Sequence, residues 1–175
     1  AFGMMTKTHP GITASIPTLP RLAPEIASGC ARHGVEGSVE IDQSEGALFT
    51  ALARSDAVLA ASGTVTLQTA LYGIPGVACY IAPKLSAAIG RRLVHMDRVI
   101  LPNALLDREV YPFLFQDAAT PQAMADGVAA VLADKSAMTR ATEDASLLRD
   151  QLRGGATRFE TKVGDALAEW FGPRS

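Results

Sequence analysis

Cysteine and histidine are scarce in this chain, and no stretch of apolar residues is long. The two cysteines, Cys30 and Cys79, lie far apart and match no metal-ligand spacing. Each sits beside apolar neighbours, so both are expected as buried free thiols, and nothing calls for an oxidising compartment. His9, His33 and His95 are scattered, so no metal site is expected. Lys and Arg total 16 against 18 Asp and Glu, for a net charge of -2 without a block of one sign. A nucleic-acid footprint needs a basic stripe, and none is present. No apolar run reaches the roughly 18 residues that a spanning helix needs. Residues 1–10 lack the layout of a signal peptide. The chain opens without an initiator Met and abruptly before its first expected strand, as a piece of a longer protein would.

What is there suits one α/β domain. Hydrophobic residues make up 48% of the 175 and charged residues 19%, ordinary values for a globular fold. A weak strand is expected over residues 11–16, stopped by Pro17. A helix over 21–32 carries Leu22, Ile26 and Cys30 at helical spacing, and His33-Gly34 closes it. Val39 and Ile41 alternate with polar residues over 38–41, as in a strand. Ser44 is the expected N-cap of a helix reaching about Arg54, with Leu48, Phe49 and Leu52 on one face. Residues 56–61 form a continuous apolar run after Asp56, the pattern of a parallel strand covered on both faces. A helix over 65–72 follows and ends at Gly73-Ile74-Pro75. Residues 76–80 are another apolar strand, 83–94 a helix and 99–101 a short strand. Residues 102–116 read as a loop holding three aromatics and two prolines. Thr120-Pro121 is an N-cap followed by proline at the first helical position, for a helix to about Ala133. Residues 136–151 and 156–171 are helical in composition, broken by Gly154-Gly155.

Alternating strands and helices imply a Rossmann-like parallel sheet with helices on both faces and a C-terminal helical tail. The expected division is a nucleotide-sugar-binding domain over 1–134, lacking its N-terminal part. The tail over 135–175 would pack on a partner domain or subunit.

Ser62-Gly63-Thr64 lies where a buried strand turns into a helix. Free backbone N–H groups point outward there, and the helix dipole adds about half a positive charge. Gly63 admits a ligand close to the backbone, and two hydroxyls flank it. That combination suits a diphosphate, at the carboxyl edge where open α/β sheets bind ligands. A plain cap, with Thr64 satisfying the helix end, fits the same residues. Gln68 shares a helical face with Thr64 and could reach a ribose hydroxyl, or be a solvated glutamine. Asn103 and Arg108 offer amide and guanidinium groups from the following loop. Arg91 and Arg92, a second basic pair on the preceding helix, read first as a solvated helix end. Asp42 and Glu45 suit a helix start. No general base and no nucleophile–histidine arrangement is legible.

These residues resemble a known family. Residues 60–68, AASGTVTLQ, with 70–75, ALYGIP, are similar to the nucleotide-binding segment of lipid A disaccharide synthases, which read A-S-G-T-x-T-L-E and then A-L-x-G-x-P. Residues 91–94 and 101–110, LPNALLDREV, continue the likeness, as do Pro112, residues 114–116 and 117–121. It is specific over about residues 56–121 and looser on either side. The resemblance implies two Rossmann-like domains around a cleft. It implies inverting transfer of 2,3-diacylglucosamine from UDP to lipid X in lipid A biosynthesis, at the cytoplasmic face of the inner membrane, with no metal or other cofactor. In that picture Ser62, Gly63 and Thr64 face the diphosphate and Gln68 the ribose, while Asn103, Arg108 and Gln116 match polar positions of the loop. The catalytic base and the acceptor site belong to an N-terminal domain that this chain lacks. Dimers through exchanged C-terminal helices also belong to it. Three positions depart from the pattern: Gln68 replaces a usual Glu, Ile81 a usual Arg and Phe113 a usual Glu. Two other readings stand beside this one, the first drawn from those departures. One is a diverged, inactive scaffold that binds a nucleotide sugar or dimerises, exposing Leu147, Leu148 and Leu152. The other is a different two-Rossmann UDP-sugar enzyme.

Overall fold

The computed structural model describes residues 1–81 and 99–153. The helix expected over 83–94, with Arg91 and Arg92, and the one over 156–171 lie outside the described residues, as does His95. The elements are α1 (Phe2–Thr8), β1 (Ala14–Pro17), α2 (Ala23–Arg32), β2 (Val39–Asp42), α3 (Ala47–Leu52), β3 (Val58–Ala61), α4 (Thr64–Tyr72) and β4 (Gly76–Tyr80). They continue with α5 (Leu101–Leu106), β5 (Phe113–Phe115), α6 (Pro121–Ala133) and α7 (Ala137–Arg153).

Among the described residues every strand pair is parallel, in two pieces. β1 pairs with β2, and β3, β4 and β5 form a sheet in that order. Helices cover both faces of the larger sheet. One face, bearing Val58, Ala78 and Phe113, packs against Leu67, Ala70 and Leu71 of α4, Leu105 of α5 and Leu148 of α7. The other, bearing Val77 and Leu114, packs against Met5 of α1 and Ala125 and Val128 of α6. Strands β3 and β4 approach closely because Gly76 has no side chain: a Cβ there would lie 2.3 Å from the Val58 carbonyl oxygen.

Several expectations change. Ser44 does not cap α3. Its amide and hydroxyl both donate to Asp42 Oδ1, at 2.9 and 2.7 Å, and Gly46 in the left-handed region stands at the N-cap. β3 is not covered on both faces, since Leu59 is 40% exposed. Residues 99–101 are not a strand: Ile100 is the N-cap of α5, with Pro102 in its first turn. The stretch 102–116 holds that helix and then β5, which extends the sheet beside β4. The segment before β1 holds α1, which starts after Ala1 without a side-chain cap. Cys30 is buried and Cys79 half-buried, and both are free. The tail's first helix, α7, packs against α4 and α5 of the chain's own domain. Leu148 is fully buried in the core, whereas Leu147 and Leu152 are exposed. Arg149 of α7 donates to the Leu71 carbonyl at the end of α4. Thr120 caps α6 as expected, accepting from the Ala123 amide at 3.1 Å.

Candidate functional site

The turn from β3 into α4 is made by Ser62 and Gly63. The Ser62 amide donates to the Cys79 carbonyl at 2.8 Å, so the ladder with β4 runs to the corner itself. Gly63 has φ +149° and ψ −166°, a region essentially closed to residues with a Cβ. The chain then enters α4 without any side-chain cap. The Gly63 carbonyl is used instead, accepting from the Thr66 hydroxyl at 2.7 Å and the Thr66 amide at 3.1 Å. Thr64 is exposed and Ser62 half-buried. Among the described residues, nothing lies within 4 Å of a Cβ built on Gly63. The plain-cap reading, in which Thr64 satisfies the helix end, is therefore not what the structure adopts. First-turn amides at an uncapped helix start present donors and positive potential to an anion.

The far end of α4 is fixed by sequence signals that were legible. Gly73 takes the left-handed conformation at φ +77°. The Ile74 amide donates back to the Thr69 carbonyl at 3.3 Å. The inner face of α4 buries Thr66 and Thr69, and Thr69 donates to the Thr66 carbonyl at 3.0 Å. Gln68 is exposed, one turn beyond Thr64.

The parallel register separates the remaining candidates. β4 and β5 pair Ala78 with Phe113 and Tyr80 with Phe115, so Gln116 follows β5 at the carboxyl edge, the same edge as Ser62. Gln116 is half-buried with φ +53°. Tyr111 precedes β5 and lies at the opposite, amino edge. Its hydroxyl donates to the Ile74 carbonyl, just before β4, at 2.6 Å and lies 3.2 Å from the Thr69 hydroxyl. Burial pushes that phenol up to about 12; the Thr69 hydrogen bond opposes the shift and the nearby Asp144 charge adds to it.

Asn103 and Arg108 go with Tyr111, not with the corner. Asn103 is 1% exposed. Its Oδ1 accepts from the Val110 and Tyr111 amides, each at 3.0 Å, and its Nδ2 donates to the Tyr111 carbonyl at 2.9 Å. The amide expected to meet ligand thus ties the first turn of α5 to the segment leading into β5. Arg108 forms an ion pair with Asp144 of α7. Gly73 packs against the backbone of Ala141 and Thr142 in the turn of α7 before Asp144, which puts the pair at the rear of α4. Sequence spacing could not show this, because the partner carboxylate is 36 residues away.

Tyr80 and Phe115, unremarked in the sequence, stand together at the carboxyl edge. Their rings stack with centroids 6.5 Å apart and planes 14° from parallel. Among the described residues no group of His, Cys, Asp and Glu could hold a metal ion, and no helix is long and apolar enough to cross a membrane.

Residues 16–163 match the family described as lipid-A-disaccharide synthetase. A lipid-A-disaccharide synthase of Albidiferax ferrireducens is 40% identical over 128 residues, 73% of this chain and 32% of that protein. One from Bradyrhizobium diazoefficiens is 33% identical over 143 residues, 82% of this chain and 36% of that protein. One from Pseudomonas aeruginosa is 48% identical over 92 residues, 53% of this chain and 24% of that protein. The chain spans about a third or less of the length of such curated relatives. With an open strand-to-helix corner on a parallel sheet and a family match over most of its length, the chain belongs to the lipid-A-disaccharide synthase family.

Proposed function

We propose that this chain is the donor-binding part of a lipid-A-disaccharide synthase-like glycosyltransferase. The whole protein would transfer 2,3-diacylglucosamine from UDP to the sugar hydroxyl of lipid X, with inversion, at the cytoplasmic side of the inner membrane. The carrying observation is the start of α4 at Gly63, with no side-chain cap and nothing within 4 Å of a Gly63 Cβ among the described residues, in a chain of this family. The amides and hydroxyls of Ser62, Gly63 and Thr64 take the diphosphate and stabilise its charge as UDP departs. Gln68 takes a ribose hydroxyl, and Gln116 borders the same edge. Asn103 and Arg108 hold the framework. The base and the acceptor site belong to another domain of the protein, so the chain alone binds UDP without turnover.

Titration of the 175-residue chain with UDP, by calorimetry or NMR, tests this. Saturable binding is expected, weakened several-fold by Thr64→Ala and left nearly unchanged by Arg108→Ala. No binding to a folded sample at millimolar UDP overturns the reading. A second reading, a non-catalytic scaffold, draws on Arg108 being held by Asp144 and on Ile81 at a position where the resemblance implies an arginine. UDP binding without any turnover by the full-length protein would favour it.

A further inference from the structure

We infer that Thr66 is a positioning residue: from inside α4 it sets the Gly63–Thr64 peptide so that the Thr64 amide faces the donor's diphosphate. This inference rests on the UDP-donor reading and adds to it the group that aims the anion contact.

Gly63 is the least constrained residue of the corner. Glycine ranges widely in φ and ψ, and here it carries the turn into α4 at φ +149° with no side-chain cap to steady it. The peptide that follows decides where the first helical amide points. Its carbonyl is turned into the helix, accepting from the Thr66 hydroxyl at 2.7 Å and the Thr66 amide at 3.1 Å. Among the described residues no peptide bond is cis, so the N–H of this one stands opposite its C=O. The Thr64 amide is thereby directed away from α4, out of the helix start.

Burial explains why the hydroxyl matters. Thr66 is fully buried, and a hydroxyl shut away from water costs free energy unless it is bonded. Valine has nearly the same shape without that cost, so packing alone would favour it. The Thr66 hydroxyl gives its proton to the Gly63 carbonyl, and the Thr66 carbonyl accepts from the Thr69 hydroxyl at 3.0 Å. Thr69 is likewise fully buried and lies 3.2 Å from the Tyr111 hydroxyl, which donates to the Ile74 carbonyl. A line of hydroxyls along the inner face of α4 thus runs from the amino edge of the sheet to Gly63. Threonines inside helices commonly bond back to a carbonyl one turn earlier. What sets Thr66 apart is its acceptor, the carbonyl of the N-cap residue, on the peptide whose amide begins the helix. A donor fixed before its guest arrives does not lose that freedom on binding.

The test uses the 175-residue chain with UDP and with inorganic diphosphate, followed by calorimetry and by NMR of the Thr64 amide. In the wild type that amide proton moves downfield on saturation with either ligand, as it takes up a phosphate oxygen. Thr66→Val, which removes only the hydroxyl, weakens UDP and diphosphate alike by about fivefold and shrinks the downfield movement. Thr66→Ser, which keeps the hydroxyl, returns the affinity to within about twofold of the wild type. A folded Thr66→Val chain that binds both ligands as tightly as the wild type overturns the assignment. So does a folded Thr66→Ser chain as weak as Thr66→Val. Bound UDP that leaves the wild-type Thr64 amide proton unmoved overturns it without any variant. In those cases the donor reading survives. A folded wild-type chain that binds no UDP overturns both.

Discussion

Asp144 on α7 holds the guanidinium of Arg108, with the carboxylate nearly buried and the arginine half open to solvent. Burial raises the Asp144 carboxyl above its ordinary range, and Arg108 opposes that shift. A raised carboxyl contributes its full stability below the unfolded value near 3.9. That contribution is lost as pH rises through the folded value. Ionised Asp144 therefore carries a net burial penalty at neutral pH. The two halves of the pair should respond unequally to mutation. Arg108→Ala strands a buried carboxylate and should cost about 1–3 kcal/mol. Asp144→Asn, which mimics the neutral acid, should change stability by less than about 1 kcal/mol. Urea denaturation at pH 7 measures both, and a larger loss in Asp144→Asn would contradict the asymmetry.

Tyr111 makes a second prediction. Its phenol is raised to about 12 by burial, whereas an unfolded tyrosine titrates near 10. The folded state thus holds the proton more tightly. Stability from this group is complete below pH 10 and falls as pH rises from about 10 to about 12. Tyr111→Phe should flatten the fall in that window. It should also cost about 1–2 kcal/mol at pH 7, because the Ile74 carbonyl loses its donor. Denaturation curves across pH 8–12 for both proteins show whether it does.

Leu147 and Leu148 are neighbours with opposite fates. Leu148 is sealed in the core with Ala78, Ile100 and Tyr111, and Leu147 faces solvent. Leu148→Ala should cost about 2–4 kcal/mol, and Leu147→Ala less than about 0.5 kcal/mol. Equal losses would mean that the exposed face of α7 is covered in solution.

Gly63→Ala separates strain from steric conflict. The space for a Cβ is open, but φ is +149°. The variant should lose about 1–3 kcal/mol of stability. It should also bind UDP more weakly than the wild type, since the corner must rotate away. Calorimetry in the presence and absence of UDP reads both effects.

Where local chemistry decides structure, the sequence was a good guide. The apolar runs of β3 and β4, Gly73 ending α4, and Thr120-Pro121 opening α6 are each a short-range signal with a single physical solution. The corner at Gly63 was legible for the same reason. What escaped was set at a distance. α5 and β5 lie in a stretch that looks like loop, because Asn103 is satisfied by backbone groups seven and eight residues away and Phe113 by a strand pairing. Arg108 looked like a free phosphate ligand because nothing near it in sequence shows Asp144. α3 starts later than expected because Asp42 takes up the Ser44 hydroxyl.

Arg149 reaching the Leu71 carbonyl has an effect on the opposite end of the same helix. With α4 fastened at its last turn by α7 and sunk into the core along Leu67, Ala70 and Leu71, its first turn is held in direction before anything binds. An arriving anion then meets amides already aimed, and the loss of freedom has been met during folding. Weakening the grip of Arg149 would therefore slacken the corner from the opposite end of α4, without touching a single group that faces the guest.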